Sequence, residues 1–224
     1  MRTIPSSIVF LIALVRCTGA PFRNLDFQSP NTRGLSGPAV LTSDAIPGWQ
    51  LQRGERAQAS ILYNGFCLTC PGASLYGPEN PKRGDKFSFI IYAGALYGDV
   101  LNQSVYQTGD VPRDAHSLQF VADLGPGTDL LHVYLGGERL SVVTLEPVGF
   151  GHRFGADVTA WAGKTAELRF TAEPGPAPTY YSGTGLSDIR FSPASLVTVP
   201  EPSTWAMVGC GGLALWAMRG LRRS

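Results

Sequence analysis

Residues 117–122 have the sequence SLQFVA, in which Leu118 and Phe120 alternate with the polar side chains of Ser117 and Gln119. Successive side chains of a β-strand point to opposite faces, so a period of two is typical of a strand with one buried face. The stretch therefore predicts a strand that buries Leu118 and Phe120, or their neighbours, against a core.

Similar short stretches recur between residues 24 and 193, separated by Gly, Pro, Asn and Asp. They are residues 87–92, 104–108, 130–135, 139–145, 167–171 and 186–191. Gly136-Gly137 between two of them is typical of a β-hairpin turn. The 27 Gly and 17 Pro of the chain favour turns over long helices. About eight to ten short strands at this spacing predict an all-β fold, an antiparallel β-sandwich.

The C-terminal residues 200–224 have a different character, with the sequence PEPSTWAMVGCGGLALWAMRGLRRS. Pro200 and Pro202 fix φ and lack an N–H group, which keeps the segment around Glu201 extended. Residues 205–218 form an apolar run that is short for a membrane helix, which needs roughly 20 residues. Three arginines follow this run: Arg219, Arg222 and Arg223.

This order of a Pro-Glu-Pro motif, a short apolar helix and a basic end closely resembles the PEP-CTERM sorting signal of Gram-negative bacteria. The resemblance implies that an exosortase, a membrane transpeptidase-like enzyme, recognises Pro200, Glu201 and Pro202 and cleaves the chain nearby. It implies that residues 205–218 span the membrane before processing, with the arginines as a stop-transfer element. The product would reach the cell surface or the extracellular matrix. A plain C-terminal membrane anchor is the alternative.

The first 20 residues have the three regions of a secretory signal peptide. Arg2 supplies the positive charge, residues 8–15 are apolar, and small residues precede a cleavage site that we expect after Ala20. Lipidation of Cys17 is not expected, because a lipobox has a small residue where this chain has Arg16.

Removal of both ends changes the charge balance. The chain has 18 Lys and Arg against 17 Asp and Glu, and five arginines lie in the two ends, which leaves 13 basic and 17 acidic residues and a net charge of about −4. A mildly acidic domain is a poor partner for nucleic acid, so nucleic-acid binding is not predicted.

Cys67 and Cys70 are the cysteines that remain in the mature chain, within NGFCLTCPGAS. In an exported protein this pair predicts a local disulfide. Free thiols, a redox pair or half of a metal site are the alternatives. The redox interpretation is weakened because Pro71 and Gly72 follow at once, where a helix N-terminus would lower the thiol pKa.

A second resemblance covers residues 21–193, with residues 194–199 as a linker to the tail. Its motifs are NLDFQ at residues 24–28, IPGW at 46–49, DVTAWAGKTAELRF at 157–170 and LSDIRF at 186–191. Together they resemble the galactose-binding-like jelly roll that many carbohydrate-binding modules and a group of PEP-CTERM proteins share. The resemblance implies a jelly-roll β-sandwich in which the first and last strands bring the chain ends together.

The same resemblance implies a possible structural calcium ion, and no other cofactor. Its ligands would be the residue after the first-strand Phe and the Asp of the last strand, which are Gln28 and Asp188 here. Gln28 is neutral where such modules carry an acidic residue, and calcium prefers several carboxylates.

No catalytic site is predicted. The three histidines, His116, His132 and His152, are far apart, and HExxH, GxSxG and P-loop motifs do not occur. For sugar binding the candidates are Tyr97, Tyr180 and Tyr181 in predicted loops, since flat aromatic rings stack on sugars. The alternative is that these tyrosines cover the edges of the sandwich.

We therefore expect an exported, non-enzymatic protein that an exosortase processes and that associates with exopolysaccharide through its jelly-roll domain. A purely structural matrix or envelope protein without a specific ligand is the first alternative. An envelope thiol-redox protein is the second.

Overall fold

A computed structural model describes residues 19–65, 72–79, 86–96, 99–124, 130–173 and 182–196. Contacts divide the chain between Ala194 and Ser195, and the strands all belong to the first unit. Within the described residues, the one α-helix is a single turn, Thr42–Ala45. No helix among them is long and apolar enough to cross a membrane.

Fifteen strands form in the described residues. In chain order they are β1 (Ala39–Leu41), β2 (Gln50–Arg53), β3 (Arg56–Gln58), β4 (Ser60–Tyr63), β5 (Ala73–Tyr76), β6 (Ser88–Leu96), β7 (Asp99–Leu101), β8 (Gln103–Asp110), β9 (Ser117–Leu124), β10 (Leu130–Leu135), β11 (Glu138–Arg139), β12 (Val142–Val148), β13 (Gly151–Asp157), β14 (Thr165–Glu173) and β15 (Ser182–Ser192). Two 3₁₀ turns, Thr32–Gly34 and Thr159–Trp161, complete the regular structure.

The strands form two sheets. A nine-stranded sheet has the order β1-β4-β5-β6-β15-β9-β13-β12, with β7 paired to β6, and a six-stranded sheet has the order β11-β10-β14-β8-β2-β3. Neighbouring strands are antiparallel except for β4 and β5. The rings of Phe120 on β9 and Phe170 on β14 meet edge to face at 5.1 Å, so the two sheets pack against each other. The all-β sandwich predicted from the sequence is confirmed at this level.

The strand that opened the sequence analysis lies inside the nine-stranded sheet, between β15 and β13. Leu118 and Phe120 are fully buried there, as the alternation predicted. The predicted strands at residues 104–108 and 167–171 fall within β8 and β14, and the one at 87–92 overlaps β6, which begins at Ser88. Short apolar alternation therefore identified the strands that carry the core.

The Gly136-Gly137 hairpin is confirmed, but the strand predicted after it is wrong in its extent. Both glycines have positive φ, 60° and 83°, as a type I′ turn requires. Only Glu138–Arg139 continues the six-stranded sheet, and Val142–Val148 pairs with β13 in the other sheet. Leu140 keeps the hairpin register through its N–H bond to the Val133 carbonyl at 2.8 Å, and its side chain is buried. The chain crosses over after Leu140, and the following strand finds its partner in β13.

The chain ends of the sandwich meet, as the second resemblance implied, but residues 24–28 form a turn and not the expected first strand, which is Ala39–Leu41. The Ile189 N–H donates to the Leu25 carbonyl at 3.2 Å, and the rings of Phe22 and Phe191 are 5.1 Å apart. Ile189 is buried, whereas Phe191 is partly buried against the core.

Candidate functional site

The outward side of the six-stranded sheet carries a continuous set of polar and aromatic side chains. Every second residue of its strands is a core residue, for example Val105, Val133 and Phe170. The residues between them face outward. We call this surface the polar face and define it by Gln50, Gln52, Ser104, Tyr106, His132, Tyr134, Arg139, Glu167, Arg169, Thr171 and Glu173.

One row of the polar face is built around Arg169. The strand register places Tyr134, Arg169, Tyr106 and Gln50 side by side on β10, β14, β8 and β2. The Arg169 guanidinium lies over the Tyr106 ring, 4.1 Å from its centroid. A cation over an aromatic face is attracted by the ring quadrupole. The row is therefore ordered before any ligand arrives.

Two further contacts hold the Arg169 guanidinium in place. Its Nε donates to Glu167 at 2.8 Å, and its Nη1 donates to Gln52 Oε1 at 2.9 Å. Arg169 and Glu167 are both only partly exposed. Three fixed contacts leave the guanidinium little rotational freedom, so this part of the face is preorganised.

The neighbouring row of the polar face has short side chains at its centre. His132, Thr171, Ser104 and Gln52 lie side by side in register. The hydroxyls of Ser104 and Thr171 hydrogen-bond to each other at 2.9 Å, and both residues are buried. The two side chains are short beside the neighbouring Tyr106 and Arg169, and their burial leaves little of either hydroxyl open to a ligand.

A histidine–carboxylate pair ends this row. His132 Nε2 and Glu173 Oε2 are 3.1 Å apart, and Asn102 Nδ2 donates to the other Glu173 oxygen at 3.5 Å. The His132 side chain is 10% exposed, whereas that of Glu173 is 33% exposed. Only the glutamate therefore presents much of its surface to a ligand.

A cleft opens beside His132, where the chain crosses between the sheets. Its volume is about 470 Å³, and it is lined by Leu131, His132, Val133, Arg139, Leu140, Ser141 and Val142. Arg139 is the cross-strand neighbour of Tyr134, so the cleft adjoins the polar face. Both Arg139 and Ser141 are exposed at its rim.

The chemistry of this surface suits binding of a hydroxyl-rich ligand. The exposed Gln50 amide can donate and accept hydrogen bonds, and the Gln52 amide can still donate beside its contact with Arg169. Tyr106 and Tyr134 add apolar ring surface. The other described histidines lie elsewhere: His116 Nδ1 is 3.4 Å from Thr159 Oγ1, and the His152 ring is 6.3 Å from that of Phe154.

Gln28, one of the two calcium ligands that the resemblance implied, holds the backbone of another segment. Its Oε1 accepts from the Phe87 N–H at 2.9 Å, and its Nε2 donates to the Phe87 carbonyl at 2.8 Å. These two hydrogen bonds to Phe87 hold the start of β6 in place. The first of them also occupies the side-chain oxygen that would otherwise bind a cation.

Asp188, the other implied ligand, has cationic neighbours. It sits where the pairing of β15 with β9 shifts register, and its φ is 47°. Its Oδ2 accepts from Arg153 Nη1 at 2.7 Å and lies 3.9 Å from Arg190 Nη1. Guanidinium groups repel Ca²⁺, so these residues do not fit a calcium site. No group of three or more His, Cys, Asp or Glu suited to a metal occurs among the described residues.

The remaining predicted site residues lie outside the described residues. They are the candidate sugar-binding residues Tyr97, Tyr180 and Tyr181, the cysteines Cys67 and Cys70, the motif Pro200, Glu201 and Pro202, and the arginines Arg219, Arg222 and Arg223. The signal peptide up to residue 18 and the predicted membrane helix at residues 205–218 do so too.

Sequence reasoning missed a fully exposed aromatic residue, Phe150. Phe150, at the turn between β12 and β13, is 100% exposed. Gly149 has a φ of 59°, and a side chain on Gly151 would meet the backbone oxygen of Ala122 at 2.4 Å. The glycines thus fix a tight turn that holds Phe150 in solvent. A Gly-Phe-Gly sequence between two strand patterns could have indicated it.

A tyrosine–carboxylate pair lies on the other sheet. Tyr63 Oη donates to Glu79 Oε1, and Asn64 Nδ2 donates to the same oxygen at 2.5 Å. Burial and the bond to Glu79 raise the pKa of Tyr63 to about 12. The bond from Tyr63 lowers the pKa of Glu79. The pair fastens the end of β4 to the segment after β5.

Comparison with protein-family models gives no match, and neither does comparison with curated proteins. Among solved structures, the chain is similar to the secreted serine protease VesC of Vibrio cholerae, with a TM-score of 0.33 and 18% identity over 49% of this chain and 22% of that chain. It is also similar to the enzymatically active domain of bacteriophage CBA120 tailspike protein 4, with a TM-score of 0.37 and 14% identity over 75% of this chain and 21% of that chain. The chain spans about a fifth of the solved structures it matches, and likenesses this low carry no argument about function.

Proposed function

We propose that this protein is exported, processed by an exosortase at Pro200-Glu201-Pro202, and delivered to an exopolysaccharide matrix. The support is the order of the C-terminal features: the motif, the apolar run at residues 205–218 and the arginines after it. The signal peptide at residues 1–20 supports export. Before processing, the apolar run would hold the chain in the membrane.

We further propose that the sandwich is a galactose-binding-like jelly roll that binds polysaccharide through the polar face. The observation that carries this proposal is the row of Tyr134, Arg169, Tyr106 and Gln50 across the sheet. Sugars present both apolar C–H surface and hydroxyls, and this arrangement offers partners for both. The face is built from five hydrogen-bonded strands of one sheet, which lowers the entropy that binding costs.

Co-sedimentation with exopolysaccharide from the native host tests polysaccharide binding. We expect wild type to bind and Tyr134→Ala to bind about tenfold more weakly, a loss of 1.4 kcal/mol of binding free energy. Phe150→Ala is the matched control, since it removes an exposed ring from the other sheet. Absence of wild-type binding would favour the purely structural alternative. Loss in Phe150→Ala alone would move the binding site to the β12–β13 turn.

A further inference from the structure

One cation at the rim of the polar face has no partner. Arg169 is bound by Glu167 and Gln52, and His132 is bound by Glu173. By contrast, among the described residues no ion pair or hydrogen bond engages the Arg139 side chain, which is exposed. Its guanidinium is therefore available to an external anion.

Arg139 lies at the rim of a cleft and not on a flat part of the surface. Arg139 and Ser141 line the same cleft of about 470 Å³, which suits one or two sugar rings in size. Tyr134 lies beside Arg139 in register and belongs to the proposed binding row. A polysaccharide on the polar face would thus pass the mouth of the cleft.

The charged groups near the cleft favour binding of a negatively charged ligand group beside Arg139, and not further towards the centre of the sheet. Arg139 lies at the outer strand, whereas the Glu173 carboxylate lies two strands in and is occupied by His132. A guanidinium matches a carboxylate in shape and can donate two parallel hydrogen bonds to it. The Ser141 hydroxyl could serve a neighbouring sugar hydroxyl.

We infer that the cleft binds a carboxylate-bearing sugar of the polysaccharide, with Arg139 as the charge partner of the carboxylate. This inference rests on the proposed function and names the class of glycan that it requires: an acidic polysaccharide that contains uronic acid units. The net charge of the mature domain is negative, so long-range attraction contributes little. The contact acts at short range and determines specificity.

The test uses two forms of the host exopolysaccharide, native and with its carboxyl groups chemically reduced to alcohols. We expect wild type to bind the native polymer at least about tenfold more tightly, since a charge-assisted hydrogen-bond pair is lost on reduction. Arg139→Gln should bind both forms with equal, weak affinity. Arg56→Gln, at the opposite edge of the same sheet and also exposed, is the control and should behave as wild type.

Each outcome decides between the two proposals. Equal wild-type binding to both forms would overturn the inference and leave the proposed function standing. Loss on reduction that Arg139→Gln does not reproduce would place the carboxylate elsewhere and also overturn it. No binding to either form would overturn the proposed function itself. Equal melting temperatures of the two arginine variants and wild type would show that folding is unchanged.

Discussion

The contact between the two sheets predicts how strongly a Phe→Ala substitution destabilises the protein. The prediction compares the buried Phe120 with the exposed Phe150. Phe120 is 1% exposed, its ring lies 5.1 Å from that of Phe170 on the opposite sheet and 5.5 Å from that of Phe154. Phe120→Ala removes this ring and leaves a cavity between the sheets. Buried Phe→Ala substitutions cost about 3–5 kcal/mol, which includes the loss of aromatic contacts.

Phe150→Ala is the matched control, because the same atoms are removed from a side chain that is 100% exposed. Its unfolding free energy should stay within about 0.5 kcal/mol of wild type. Urea unfolding of both variants, followed by tryptophan fluorescence and circular dichroism, gives the two values. Coincident transitions would justify a two-state treatment. Losses within 1 kcal/mol of each other would refute the packing of β9 against β14.

Two further predictions concern local contacts. Gly151→Ala should destabilise the protein by roughly 1–3 kcal/mol, because the new Cβ would lie 2.4 Å from the Ala122 backbone oxygen; a melting temperature equal to wild type would contradict this contact. The bond from Tyr63 lowers the pKa of Glu79 below the ordinary pKa of a glutamate carboxyl. The pair therefore stabilises the fold above that ordinary pKa, and the contribution is lost as pH falls through the folded pKa. Glu79→Gln should therefore flatten the acid limb of a plot of melting temperature against pH, whereas an unchanged limb would show that the pair contributes nothing.

The edges of both sheets are short or interrupted, which bears on the proposal that the protein is concentrated in a matrix. Among the described strands, the edges of the six-stranded sheet are β11 and β3, of two and three residues. The longer edge β12 carries a register shift between Thr144 and Glu146, followed by Pro147. Bulges and prolines on edges prevent pairing with other chains. Contacts with the matrix are therefore expected from faces and turns.

Local sequence patterns predicted the strands well, because alternation records which side of a strand is buried. Leu118 and Phe120 in β9 and the glycine hairpin after β10 show this. The transfer of Val142–Val148 to the other sheet was not predictable in this way. Val142–Val148 is placed by its pairing with β13, a contact between strands that the local pattern does not encode.

The polar face could not be assembled from the sequence, because its residues come from strands that are distant along the chain. Tyr106 and Arg169 are neighbours only because β8 lies beside β14. The partner of Asp188 is likewise Arg153 from β13, a residue 35 positions away. Sequence reasoning looked for aromatic residues in loops and so passed over those in the strands.

The measurement that tests the account most directly is the intact mass of the protein recovered from its native host, from the membrane and from the medium. The account predicts a species in the medium or matrix that lacks residues 1–20 and everything beyond the Pro200-Glu201-Pro202 region. A loss of about two hydrogens from that mass would report the disulfide between Cys67 and Cys70. A membrane-bound species that retains residues 205–224, with nothing released, would contradict exosortase processing and show that the tail is an anchor.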